Sequence, residues 1–168
     1  MNRQSFLIQS AAAGAAFILH PFQSLAQSKN APDPYKPEVV KEFVGAGHNN
    51  LNRVKEMLQE YPNLLYCRWD WGNGDFEEAI EGAGHVGDKE IAQYLIENGA
   101  RPNIFVLTML GETVIVKAIL EKYPALINSK GAHGFTLLHH ATRGGEPAKE
   151  LLDYFKSKGL TEMRINIK

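Results

Sequence analysis

The sequence predicts an all-α solenoid of about four stacked helix pairs, and three observations carry that expectation. The chain echoes itself: Glu60-Tyr61-Pro62-Asn63-Leu64-Leu65 returns 62 residues later as Lys122-Tyr123-Pro124-Ala125-Leu126-Ile127. Glycines recur in Gly47-His48, Gly87-Asp88, Gly111-Glu112 and Gly145-Glu146 at an average interval of about 33 residues, a period typical of helical repeats. Between these marks, apolar residues fall at helical spacing, as Ile91, Tyr94 and Leu95 do. A chain of 168 residues with 44% apolar content has enough material for one core.

The elements follow in order. Residues 27–36 read as a linker, and the stretch from Gln27 to Pro37 holds three prolines. The repeat domain spans 37–160. Its first pair is expected at 37–46 and 53–60, the second stopped by Pro62. The second pair is expected at 75–84 and 89–98, with Asp88 as N-cap and Gly99 as stop. The third falls at 102–110 and 114–122, ended by Pro124. The fourth falls at 136–144 and 148–158, stopped by Gly159. One helix pair cannot bury its apolar face alone, whereas stacked neighbours share a continuous core. Residues 161–168 alternate Met163, Ile165 and Ile167, the pattern of an extended tail lying over one end of the stack.

These residues resemble the ankyrin repeat. Gly134-Phe135-Thr136-Leu137-Leu138-His139-His140-Ala141 is similar to the family's G-x-T-P-L-H-x-A signature, with Leu137 in place of the proline. Ala83, Gly87, Ile91, Leu95, Gly99-Ala100 and Asn103 match its second half. The resemblance covers roughly residues 37–160. It implies that the Thr136 hydroxyl starts an inner helix and bonds the histidine three residues on. It also implies that finger and inner helix line a concave, partner-binding face. Glu81 stands where the second unit would carry that histidine. The connection 99–104 is too short for a full finger in the third unit.

The N-terminus reads as an export signal. Arg3 is followed by the apolar run Ala11 to Leu19 and by Ser24-Leu25-Ala26, so residues 1–26 are expected to be a cleaved signal peptide. The run is far short of the roughly 20 residues that span a bilayer. Asn2 to Leu7 is similar to a twin-arginine signal, but Gln4 replaces the second arginine, which favours the general secretory route. The mature chain is expected to be periplasmic or secreted, without membrane insertion, and monomeric. Its one cysteine, Cys67, excludes an internal disulfide and is expected to be buried. A net charge of −1 argues against nucleic-acid binding.

The densest unusual feature is Trp69-Asp70-Trp71-Gly72-Asn73-Gly74-Asp75-Phe76-Glu77-Glu78. From Asp70 to Glu97 there are eight acids and one base, a local charge of −7. An acidic groove with aromatic anchors suits a basic protein partner. The expected contacts are Tyr66, Arg68, Trp69, Asp70, Trp71, Glu77, Glu78, Glu81 and His140. The leading function is therefore a protein-binding scaffold, not an enzyme. The runner-up is an inhibitor or immunity-type protein masking a secreted enzyme, and a small hydrolase using Glu78, Glu81 and His85 is a distant third.

Metal and cofactor chemistry is not expected from the sequence. Asn73, Asp75 and Glu77 alternate like an EF-hand loop, but Glu78 stands where its glycine belongs and Gly84 where its last glutamate belongs, so the alternation reads as accidental. His48, His85 and His133 lack any clustered ligand spacing, and His139-His140 point about 100° apart on a helix. Neither a nucleophile elbow nor a phosphate loop is legible.

Overall fold

A computed structural model describes residues 32–167. The expected leader 1–26 and residues 27–31 of the linker lie outside the described residues. Residues 32–36 are irregular, and the compact unit begins at Tyr35. The chain is mostly helical. Eight α-helices occur among the described residues: α1 Pro37–Ala46, α2 Leu51–Glu60, α3 Ala79–Val86, α4 Lys89–Glu97, α5 Ile104–Leu110, α6 Thr113–Lys122, α7 Leu137–Gly144 and α8 Lys149–Ser157. Two short antiparallel strands, β1 Arg68–Asp70 and β2 Phe76–Glu78, form a hairpin.

Local chemistry explains where the helices begin and end. A helix start leaves backbone N–H groups without partners, and short polar side chains accept from them. Asn50 accepts from Arg53 N at 3.1 Å before α2, and Asp88 accepts from Ile91 N at 2.9 Å before α4. Asn103 accepts from Phe105 N and Val106 N before α5. Gly87 and Gly111 end α3 and α5 at φ 87° and 84°, the left-handed region that a side chain disfavours. The internal echo is a backbone identity. Tyr61 and Tyr123 share φ/ψ values of −131°/75° and −130°/72°, and each opens a 3₁₀ turn, Pro62–Tyr66 and Pro124–Asn128.

The helices of each pair pack together, and the first helices pack in series: α1 on α3, α3 on α5, α5 on α7. Apolar residues fill the space between in two clusters. Phe43, Val54, Met57, Leu64, Ile80, Ile91 and Leu95 anchor one, and Leu120, Leu137, Leu151 and Phe155 the other. Helix α5 faces both, giving Val106 and Met109 to the first and Phe105 to the second. Helix α3 also meets α7 directly.

Three expectations need correcting. Residues 75–78 are not helical: Gly72, Asn73 and Gly74 all have positive φ, so the chain doubles back and Trp69 pairs with Glu77 across the hairpin. The helix begins only at Ala79. Residues 161–167 form no strand over an end; they run beside Phe135 through one bridge, Phe135 to Arg164. The Thr136 hydroxyl does start α7 and bond His139, accepting from its backbone N at 3.4 Å, and it donates to the Glu162 carbonyl. Cys67 is only half-buried, and burial pushes its thiol pKa up. No described helix is long and apolar enough to cross a membrane.

Candidate metal centre

The hairpin builds one side of the site. The Asp70 carboxylate accepts from Gly72 N and Gly74 N at 2.8 and 3.1 Å, closing the turn on itself. Side chains along β2 then alternate between faces. Phe76 points to solvent, whereas Asp75 and Glu77 share the other side. Glu77 is fully buried. The alternation of acids read as accidental is the period of this strand.

Three histidines from distant parts of the chain face Glu77. His48 follows α1, and its Nδ1 lies 3.3 and 3.2 Å from the Val44 and Gly45 carbonyls at the helix end. Its ring lies against Gly82, where an added Cβ would meet it at 2.9 Å. His85 sits in the last turn of α3. His133 comes from the loop before α7 and has φ 58°, an unusual conformation for a side-chain-bearing residue. Asp75 holds it there twice, accepting from His133 N at 2.7 Å and from its Nδ1 at 2.7 Å. This reach across 58 residues accompanies the direct contact of α3 with α7.

The distances converge on one atom. Glu77 Oε1 lies 3.0 Å from His85 Nε2 and 3.5 Å from both His48 Nε2 and His133 Nε2. All four donor atoms lie within 4.8 Å of one another. A tetrahedral ion with bonds near 2.05 Å separates its ligand atoms by about 3.3 Å, which these values bracket. The second carboxylate oxygen, Oε2, accepts from Trp71 Nε1 at 2.7 Å.

Protonation sharpens the point. A neutral imidazole that donates from Nδ1 presents a lone pair at Nε2. His48 donates to backbone carbonyls and His133 to Asp75, which turns the Nε2 of each ring toward the Glu77 oxygen. Such outer hydrogen bonds fix ring orientation at metal sites. Despite the 3.0 Å approach, Glu77 Oε1 and His85 Nε2 are buried without an aligned hydrogen bond. Burial pushes the Glu77 pKa up. The polar contact with His85, the charges of His48 and His85 and the Trp71 bond outweigh it, holding the carboxyl below its ordinary value. Three imidazoles and a carboxylate are a donor set for zinc, iron, nickel, copper or manganese.

The residues expected to contact a partner take varied positions. Glu77 and His140 are buried and cannot be surface contacts. His140 accepts no solvent role either, since its Nδ1 lies 2.8 Å from the Thr136 carbonyl. Glu81 is turned inward: it accepts from Glu78 N, from Asn103 Nδ2 and from Arg68. Glu78 completes the capping box of α3. The acidic groove is thus largely internal structure, because Arg68 lies against Glu78 and Glu81. Tyr66 and Phe76 are each 49% exposed, and Trp71 is 39% exposed. Trp69 is half-buried with Lys41 over its ring, and Asp70 is spent on the turn.

The sequence hid the ligands because they are 29, 8 and 48 residues apart. One signal existed. His133 lies 62 residues after Trp71, the period of the echo, so the two occupy equivalent places, and their rings are 6.1 Å apart. No family model and no curated protein matches this chain.

Proposed function

We propose that this chain is an ankyrin-like stack of four helix pairs whose working centre binds a divalent first-row transition metal through His48, Glu77, His85 and His133. One observation carries the reading: three imidazole Nε2 atoms surround a single buried carboxylate oxygen, two of them with their other nitrogen engaged as a donor. In their neutral form these rings turn lone pairs on the carboxylate, and a cation between them converts that repulsion into ligation. The ankyrin-like assignment is supported by the serial packing of first helices and by the repeated turn at Tyr61 and Tyr123. Export, expected from residues 1–26, belongs to the same proposal; a donor set without thiolate suits an oxidising compartment.

The test uses the full chain, stripped with a chelator and titrated with zinc by calorimetry, with metal counted by mass spectrometry. The expected result is one ion per chain. Glu77→Gln, checked for helicity by circular dichroism, should weaken binding by more than about 100-fold, beyond what loss of an outer hydrogen bond does. His133→Ala should do the same, and Glu150→Gln on the exposed face of α8 should change nothing. A wild-type chain that takes up no ion defeats the proposal.

A second reading, the partner-binding scaffold, is favoured by the exposed Tyr66, Phe76 and Trp71 around the hairpin. It requires partner capture that is lost in Tyr66→Ala with Phe76→Ala and is indifferent to chelation. Capture that fails on chelation alone would return the function to the metal.

A further inference from the structure

We propose that the ion at this centre keeps a coordination position open beneath Trp71 and takes a small carboxylate-type anion there. The inference rests on the metal reading above.

The number of protein donors is limited by geometry. Trp71 Nε1 occupies Glu77 Oε2 at 2.7 Å, so Glu77 offers Oε1 alone. With three Nε2 atoms, the chain supplies four donors. Iron, manganese and nickel commonly take five or six and cobalt four to six, so such an ion has room for an exogenous ligand.

Burial says on which side that ligand sits. Glu77 is fully buried and the His85 side chain is 9% exposed, forming the floor. The His48 and His133 side chains are 23% and 21% exposed, forming a rim. The Trp71 indole lies over this rim, with ring centroids 6.4 Å from His48 and 6.1 Å from His133. It is carried by the hairpin turn, and its hydrogen bond to Glu77 is the tether that aims it.

Charge says what the ligand is. A divalent ion with the Glu77 carboxylate and three neutral imidazoles keeps a net charge of +1; the Asp75 carboxylate behind His133 offsets it and the Arg164 guanidinium restores it, which favours an anion on the Arg164 side of a partly dry site. Beside His133 lies a cavity of about 210 Å³ lined by Gly72, Asn73, Asp75, His133, Arg164, Asn166 and Ile167. Arg164 donates from Nε to the His133 carbonyl at 2.7 Å, and its guanidinium lies over Phe135. Its remaining N–H groups have no hydrogen-bond partner among the described residues. A planar guanidinium and an amide at the mouth suit a carboxylate.

Cobalt(II) makes the coordination number visible. The full chain loaded with cobalt should show the weak visible bands of a five- or six-coordinate ion. Titration with azide, then with acetate, should shift those bands and saturate. Arg164→Gln, compared with the unaltered chain at saturating cobalt, should weaken the azide response about tenfold or more, the loss of one charge-assisted contact. Arg164→Lys should restore much of it, which a merely structural role at the His133 carbonyl would not. Intense tetrahedral bands untouched by either anion overturn this inference and leave the metal centre standing. Failure to bind cobalt, zinc or nickel removes both.

Discussion

The segment from Tyr61 to Glu78 and the segment from Tyr123 to Thr136 begin with one backbone and end with two. Each opens on a tyrosine of matching dihedrals and a proline-led 3₁₀ turn. In the first, Gly72, Asn73 and Gly74 let the chain double back into a paired hairpin. In the second, the loop is shorter and a 3₁₀ turn, Ala132–Gly134, carries His133 directly to the first. The long finger brings the acids, and the short one brings a histidine. Neither is a site alone. A repeat supplies the same frame twice, and a difference in loop length decides which chemistry each copy contributes.

The largest effect expected from breaking this relation is at the glycines. Gly72 and Gly134 occupy equivalent places and both have positive φ, 126° and 77°. A Cβ at Gly134 would run into the Ile165 carbonyl, whereas one at Gly72 meets nothing within 4 Å. Gly134→Ala should therefore lose about 3 kcal/mol, conformational strain plus displacement of the tail, and Gly72→Ala about 1 to 2 kcal/mol from strain alone. Urea unfolding of the two variants compares them; equal losses would mean that the tail contact carries nothing.

Next comes the clamp between the fingers. Asp75→Ala removes both hydrogen bonds to His133 and should lower stability by about 2 kcal/mol. It should also weaken metal binding by about 10- to 100-fold, the range for an outer partner of a ligating histidine. Stability lost with metal affinity intact would show that His133 is held by its loop and not by Asp75.

The pH response is of similar size and has opposite signs at Glu78, which precedes α3, and at His140, inside α7. Burial lowers the His140 pKa to about 3, with the His139 and His85 charges adding to it against the Thr136 hydrogen bond. Below the unfolded value near 6.5, the unfolded chain takes up a proton that the folded one refuses. Stability present above 6.5 should thus fall by about 2 kcal/mol on going to pH 5. Burial and Glu81 raise the Glu78 pKa, so its penalty is relieved as pH falls through that raised value. His140→Gln should flatten the loss near pH 5 in thermal melts, and an unchanged profile would assign the loss elsewhere.

The smallest effect is at the exposed aromatics. Tyr66→Ala and Phe76→Ala should each change stability by no more than about 0.5 kcal/mol, because solvent already reaches half of each side chain. A larger loss would mean that the hairpin needs them to stay paired.

Much of the scaffold was legible before any coordinates. Residues 37–46 form a helix with the expected bounds, and Asp88 caps α4 as its side chain requires. These are local matters, decided within four or five residues by periodicity and by orphan N–H groups. The hairpin was not legible as a strand, since Phe76-Glu77-Glu78 has little β-propensity and is set by the three positive-φ residues before it. The acids were read as a surface because charge is usually solvated. Glu77 is the exception that burial and the Trp71 bond explain, and Glu81 is consumed by Arg68, Asn103 and the start of α3.

From its sequence alone this protein drew most of its helices, several of their caps and the 62-residue echo, because each depends on neighbours along the chain. Only the tertiary structure decided that His48, Glu77, His85 and His133 meet. Their meeting depends on how α1, α3 and α7 pack and on the hairpin and the loop at His133 closing on each other, and no local preference encodes a distance between residues so far apart.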